Sequence, residues 1–367
     1  MAKDHYLPAS VIGRFSNDTI GRARERIVFV ARKGRRAASP ARAETIGYVN
    51  NLYRAETARL FGDSSRDEDT VDPALNGYEP DLPLALDLLE GAMPLPMETW
   101  LRTLVPYVTS IFVRGADFAP RFMARPVMAA LTDPGMPDNA NAARFIELER
   151  LLTPVCCARW VVWHRSGGEP LVLNNLGLTG TLDSDTGQPG WAIPISKTCL
   201  LSIYPRPQRS VAMYQGDAWW PLIEHVHLDS AQAHSFNDAM AHMATSYVAG
   251  ATAELVERLA PLVGEHANDA ALMDAWPFDH RTKLAHAKDW HRLVTATVGN
   301  RPPDQLTDLQ TVDAAALGRS WCPPLGFLLN VRDFPTGLRL EGNVIQLTLD
   351  MPPNYESYFT SSGGQRA

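Results

Sequence analysis

The chain is 367 residues long, 45% hydrophobic and 20% charged, with a formal net charge of -7. That is the balance of an ordinary globular protein, and the length suits about two domains; without a run of about 18 apolar residues, no membrane-spanning helix is expected. The opening residues lack the apolar stretch of a secretion signal. Cys156, Cys157, Cys199 and Cys322 have the spacing of neither a disulfide framework nor a zinc ribbon, so the expected setting is reducing and cytoplasmic.

In chain order, residues 5–15 alternate weakly and predict a short strand with a turn, followed by the turn formers Asn17-Asp18-Thr19-Ile20-Gly21. Arg26 to Arg32 is a β-branched and aromatic run that predicts a strand, and the two together suggest an amino-terminal hairpin. The first 42 residues hold ten basic side chains against Asp4, Asp18 and Glu25, a local charge of +7 that leaves -14 for the remainder. Such asymmetry marks either a polyanion-binding surface or a basic hairpin that pairs with the acidic body of its own chain. Ser39-Pro40 reads as a helix start. Helices are expected over 84–93, over 97–112 with a kink at Pro106, over 121–131 and over 139–152.

From residue 158 the pattern turns to strands. Residues 159–164 and 170–175 flank a Gly-rich turn and predict an antiparallel hairpin, and further strands follow near 191–195, 198–204, 211–214 and 219–228. A long helix from Ser235 to about Leu262 is expected across the sheet, then weaker helical signal over 281–297, two short strands within 325–350 and a disordered end at 360–367. The order predicts an α+β fold: an amino-terminal β-hairpin, a helical lobe and a mainly antiparallel sheet covered by a long helix. Residues 1–262 form the expected core and 263–367 an extension.

At His5-Tyr6-Leu7-Pro8 with Phe15 the sequence resembles a family of uncharacterised bacterial proteins marked by an amino-terminal His-Tyr-Val-Pro motif, the domain of unknown function 4238 family. The resemblance extends in order through Ser39-Pro40, Leu52-Tyr53, the Phe112-Val113-Arg114 and Phe118-Ala119-Pro120-Arg121 cluster, Pro194-Ile195-Ser196 and a helix opening near Asn237. Where family members look to carry Ser-Asp-Asn-Pro, this chain has Leu173-Asn174-Asn175-Leu176. An amide is a poor metal ligand and no base, so a function resting on that carboxylate would be lost here.

Two function classes follow. One is a hydrolase-like or nucleic-acid-directed enzyme with His5, Tyr6 and Asn174 as catalytic groups and Arg14, Arg114, Arg121, Asn175, Ser196 and Asn237 as binding groups, His5 acting as base and the arginines gripping an anion. The other is a catalytically silent binding or accessory protein. His5 and Tyr6 read equally as anchors of the first strand. No motif names a cofactor. A divalent metal is carried as the lesser reading of His225, His227 and Asp229, which alternate on one face of a strand, beside that of an outward-facing edge strand. The sequence names no partner; a nucleic acid or nucleotide is carried as one reading beside internal pairing of the cations, and a membrane is not expected.

Overall fold

The computed structural model describes residues 3–53, 77–118, 158–183, 187, 189–204, 208–265, 302, 337–342 and 344–348, with seven helical residues between 141 and 156. Pro8, which has no N–H to continue a ladder, follows the first strand, β1 (Lys3–His5), and precedes a helical turn, α1 (Ala9–Ile12). Val11, Ile12 and Phe15 of that segment are buried. The β-branched run forms β2 (Ile27–Arg32), turns at Gly34 with φ +74°, and returns as β3 (Ser39–Arg42). This is the amino-terminal hairpin, with different arms from those expected: β1 pairs instead with β4 (Tyr48–Asn50), placing His5 opposite Tyr48. Ser39-Pro40 does not start a helix. Ala41 and Pro40 face Val28 and Phe29 on an edge strand, where a proline is tolerated because its missing N–H would point away from the ladder.

The helical lobe opens with α2 (Leu82–Glu90), which ends before Gly91. The next helical run is interrupted as Pro106 requires. Met97–Thr99 leads into a π turn at Trp100–Leu104, and only then does α3 (Val105–Arg114) begin, with Pro106 in its first turn where no N–H is needed. Trp100 meets Trp160 edge-on at 5.6 Å and Phe112 meets Trp191 at 5.7 Å, which joins the lobe to the strands that follow.

Those strands are β5 (Arg159–Arg165), β6 (Leu173–Asn174), β7 (Thr179–Leu182), β8 (Pro189–Pro194), β9 (Cys199–Tyr204), β10 (Gln208–Gln215), β11 (Ala218–Pro221) and β12 (Ile223–Leu228). Then come α4 (Ser230–Met243), β13 (Tyr247–Gly250), α5 (Ala253–Leu259), β14 (Gly337–Glu341) and β15 (Val344–Thr348). A five-stranded sheet runs β12-β5-β9-β8-β7 and a four-stranded one β3-β2-β13-β6; a third, β11-β10-β15-β14, draws strands from both sides of residue 262. Among the described strands, pairing is antiparallel except between β12 and β5. The fold is α+β, with mainly antiparallel sheets.

Two further expectations are corrected. Residues 159–164 and 170–175 do not pair with each other: Val161 and Val162 are buried on both faces, and β5 sits between β9 and β12 while β6 joins β13 in another sheet. Nor does one helix run from Ser235 to Leu262. It begins at Ser230, capped by an Asp229–Gln232 capping box, and stops at Met243. Tyr247 to Gly250 is a fully buried central strand, whose continuous apolar run has no period of its own to separate it from a buried helix. Gly177, at φ +76°, closes the turn after β6; a Cβ there would lie 2.7 Å from Leu7, so the opening motif packs directly onto that turn. Among the described residues no helix is long and apolar enough to cross a membrane.

Candidate functional site

His5 and Arg114 do come together, through the backbone. The fully buried Arg114 guanidinium donates from Nη2 to the His5 carbonyl, from Nη1 to Tyr78 Oη and Glu79 Oε1, each at 2.8 Å, and from Nε to Tyr53 Oη at 3.4 Å. Tyr78 Oη in turn meets Ser110 Oγ, and burial pushes its phenol up to about 12. The His5 ring lies 3.4 Å from the Glu44 carbonyl and tilts against Tyr48, while the neighbouring Asp4 carboxylate is buried and accepts from Tyr53 N–H at 3.0 Å. Arg114 is therefore a bolt holding β1 to the end of α3, not a grip for an external anion. Arg121 lies outside the described residues.

Tyr6 points elsewhere, to the buried Tyr247 phenol, and burial raises both hydroxyls above the ordinary tyrosine range. Beside them Asn175 organises the chain after α4. Its Oδ1 accepts from the N–H groups of Thr245, Ser246 and Tyr247, and its Nδ2 donates to Thr245 Oγ1 at 2.7 Å, which donates on to Asp117 at 2.9 Å. Three converging N–H groups could cradle an anion; here the Asn175 oxygen fills them. Asn174 is fully buried: its Nδ2 donates to the carbonyls of Leu178 and Met240, and its Oδ1 accepts from Leu176 N–H. Asn237 similarly ties α4 to Val172, Glu169 and Pro170. Neither asparagine has an amide group left for a substrate.

Arg14 and Ser196 meet at a residue absent from the expected site, Glu90 at the end of α2. Ser196 Oγ donates to Oε1 at 2.6 Å, Thr198 Oγ1 donates to the same oxygen, and Arg14 donates to Oε2 at 2.5 Å and to Asp87 at 2.6 Å. Burial alone would raise the Glu90 carboxyl; the two hydroxyls and Arg14 outweigh it and hold the group below the usual carboxylate range. Next to this knot, Cys199 Sγ lies 4.0 Å from His164 Nδ1, and burial, with Glu90 adding to it, pushes the thiol up to about 12. A protonated thiol is no nucleophile at neutral pH.

His164 is the second residue missing from the expected set. Its Nε2 stands 2.8 Å from His225 Nδ1, with the rings stacked at 5.1 Å. Burial lowers both from the ordinary histidine range, with His227 adding to the effect on His164 and His164 to that on His225. Asp229 does not join His225 and His227, because its carboxylate caps α4 by accepting from Gln232 N–H at 2.8 Å. Among the described residues no three His, Cys, Asp or Glu side chains are arranged around an ion-sized gap. His164 could be found only with the parallel register that sets it opposite His227, and that register joins strands far apart in the chain.

The hairpin differs from all of this. Arg22, Arg32, Lys33, Arg35, Arg36 and Arg42 are exposed, and among the described residues none of them forms an ion pair. Arg24 reaches Glu44 at 3.3 Å and Arg26 turns back to the Thr19 and Gly21 carbonyls. Among the described residues those six do not show the expected pairing with an acidic body. The hairpin is held from behind: Lys33 N–H donates to Ser246 O, Ala38 N–H donates to Glu257 Oε1, and the Arg32 guanidinium lies 5.9 Å from the Tyr247 ring centre.

No protein-family model matches the chain, and no curated protein or solved structure is similar to it.

Proposed function

We propose that this is a binding or accessory protein, without catalysis at its amino terminus, that takes hold of nucleic acid through the basic hairpin of β2 and β3. The observation carrying the reading is the set of six exposed cations without ion-pair partners among the described residues, in a chain that is acidic overall. Arginine and lysine held on a rigid strand pair meet phosphates without first breaking an internal pair, and the gain comes from released counterions. The enzyme reading, with His5 as base and Asn174 as its partner, has no observation in its favour, because the Asn174 amide is already bonded on both sides. Kinship with the domain of unknown function 4238 family belongs to the same proposal. In it, the amide at 174 replaces a carboxylate because two of its bonds need a donor.

Fluorescence anisotropy with labelled single- and double-stranded oligonucleotides tests the reading. Binding should weaken with salt, log K falling by about 0.9 per phosphate neutralised on a duplex. Arg35→Glu with Arg36→Glu should weaken it at least about tenfold while leaving the circular dichroism unchanged. An absence of binding at low salt, or binding indifferent to the double variant, rejects the proposal.

A further inference from the structure

The exposed cations of the hairpin do not form one patch. Arg32, Lys33, Arg35 and Arg36 gather at the turn joining β2 to β3, while Arg42 ends β3 and Arg22 precedes β2. The register fixes the spacing. Arg42 lies opposite Ile27, at the far end of β2 from Arg32, so the two groups stand about 17 Å apart. Both ends are basic on balance. At the open end Arg22, Arg24, Arg26 and Arg42 stand against Glu25 and Glu44; at the turn the nearby Glu257 carboxylate accepts from the Ala38 N–H. Between the groups runs a free border, because β3 has no strand on its outer side among the described residues. Ala37 to Ala41 are uncharged there, and none is bulkier than proline. The rings closest in the sheet, Phe29 and Tyr247, pack into the core.

Resting on the nucleic-acid reading above, we propose that the hairpin takes duplexes in preference to single strands. β3 lies across one wide groove, with the turn cations on the phosphates of one strand and Arg42 and Arg22 on those of the other. Proteins that hold single strands stack successive bases on aromatic rings along a continuous basic groove. This border offers no ring, and its charge is interrupted in the middle. A duplex instead presents two ridges of phosphate, with one charge per about 1.7 Å of axis. The major groove of B-form DNA is about 12 Å wide, so side chains rooted about 17 Å apart reach both rims. An RNA duplex offers a wide, shallow minor groove in its place. The small residues between the cation groups let the backbone sit low over the groove. Residues 32–42 hold no Asn, Gln, Asp or Glu, the side chains that read adenine and cytosine edges, so the grip falls on phosphates. The span is fixed at the turn, where Lys33 N–H donates to Ser246 O and Ala38 N–H to Glu257.

The test titrates the full-length protein at low salt against three labelled probes of equal phosphate number: a DNA duplex, an RNA duplex and oligothymidine. At least one duplex should bind about tenfold or more tightly than oligothymidine. Arg22→Glu with Arg42→Glu should cost that duplex at least about tenfold, as should Arg35→Glu with Arg36→Glu, with circular dichroism unchanged in both. A duplex whose phosphates are neutralised as methylphosphonates in one strand only should also lose about tenfold or more, since one end of the hairpin then has no anion to hold. Oligothymidine bound as tightly as both duplexes overturns the preference and leaves the nucleic-acid reading standing. Full affinity for the duplex neutralised in one strand, or for the Arg22→Glu/Arg42→Glu variant, overturns the two-strand grip. No binding to any of the three probes overturns this inference together with the reading it rests on.

Discussion

The opening motif and the basic hairpin are neighbours in sequence and opposites in chemistry. Residues 4–16 are dense in polar side chains, yet Asp4 and Arg14 are each tied to a partner far along the chain, Ser16 to the Ile27 carbonyl, and the His5 carbonyl is gripped by Arg114. Residues 22–42 carry six cations that find no opposite charge among the described residues. A crowded polar segment is thus not a site merely by being crowded. Once buried, polar groups must be satisfied, and satisfying them turns them into structural bolts. Exposed charges face no such demand and stay available to a partner.

The sharpest way to break that contrast is to remove one bolt. Arg114→Ala would strip the His5 carbonyl and the Glu79 carboxylate of their guanidinium donor, take one bond from each of Tyr78 Oη and Tyr53 Oη and leave a cavity, at a cost of about 3–5 kcal/mol. Urea unfolding measures it, and Arg35→Ala in the same assay should move by less than about 0.5 kcal/mol. Equal losses at the two positions would erase the distinction. Asn174→Asp comes next, at about 2–4 kcal/mol near neutral pH, because a buried carboxylate would face the Leu178 and Met240 carbonyls without a proton to donate. The deficit should shrink towards pH 4, where the new side chain can be protonated. A pH-independent loss would point to packing instead.

How far the sequence disclosed this molecule depends on whether a signal was local. β2 and β5 are legible as β-branched and aromatic runs and β9 as a short apolar run, and the α+β class follows from the order of helical and strand patterns. β13 is not legible, because a four-residue strand buried on both faces carries no alternation, and the three N–H groups that Asn175 collects to end the preceding segment lie some seventy positions away. Of the candidate site, Tyr6, Asn175 and Arg14 make internal contacts, and their partners Tyr247, Thr245 and Glu90 are set by tertiary packing. His225 was visible from its spacing and His164 was not, since only the crossover pairing of β5 with β12 joins them.

Glu90 offers the finest probe of the same contrast, because it tests a bolt through its proton rather than its removal. Its carboxyl titrates lower in the folded protein than a free glutamate, which ionises near pH 4.3, as the Ser196 and Thr198 hydroxyls and Arg14 all favour the charged form. A depressed folded value means that the unfolded chain binds the proton more readily. The contribution is therefore complete above the unfolded value and disappears as pH falls through the folded one. Comparing wild type with Glu90→Gln by urea unfolding at several pH values should show a gap that is widest near pH 7 and closes on acidification below about pH 4. Because Arg14 and the Ser196 turn are both held by this one carboxylate, the closing gap should come with loosening of residues 13–17, read as faster amide exchange at Lys197, whose N–H donates to the Arg14 carbonyl. A gap that stays constant from pH 7 to pH 3 would mean that the ion pair contributes nothing beyond shape, and that the amino terminus is held by its apolar residues and its other polar contacts.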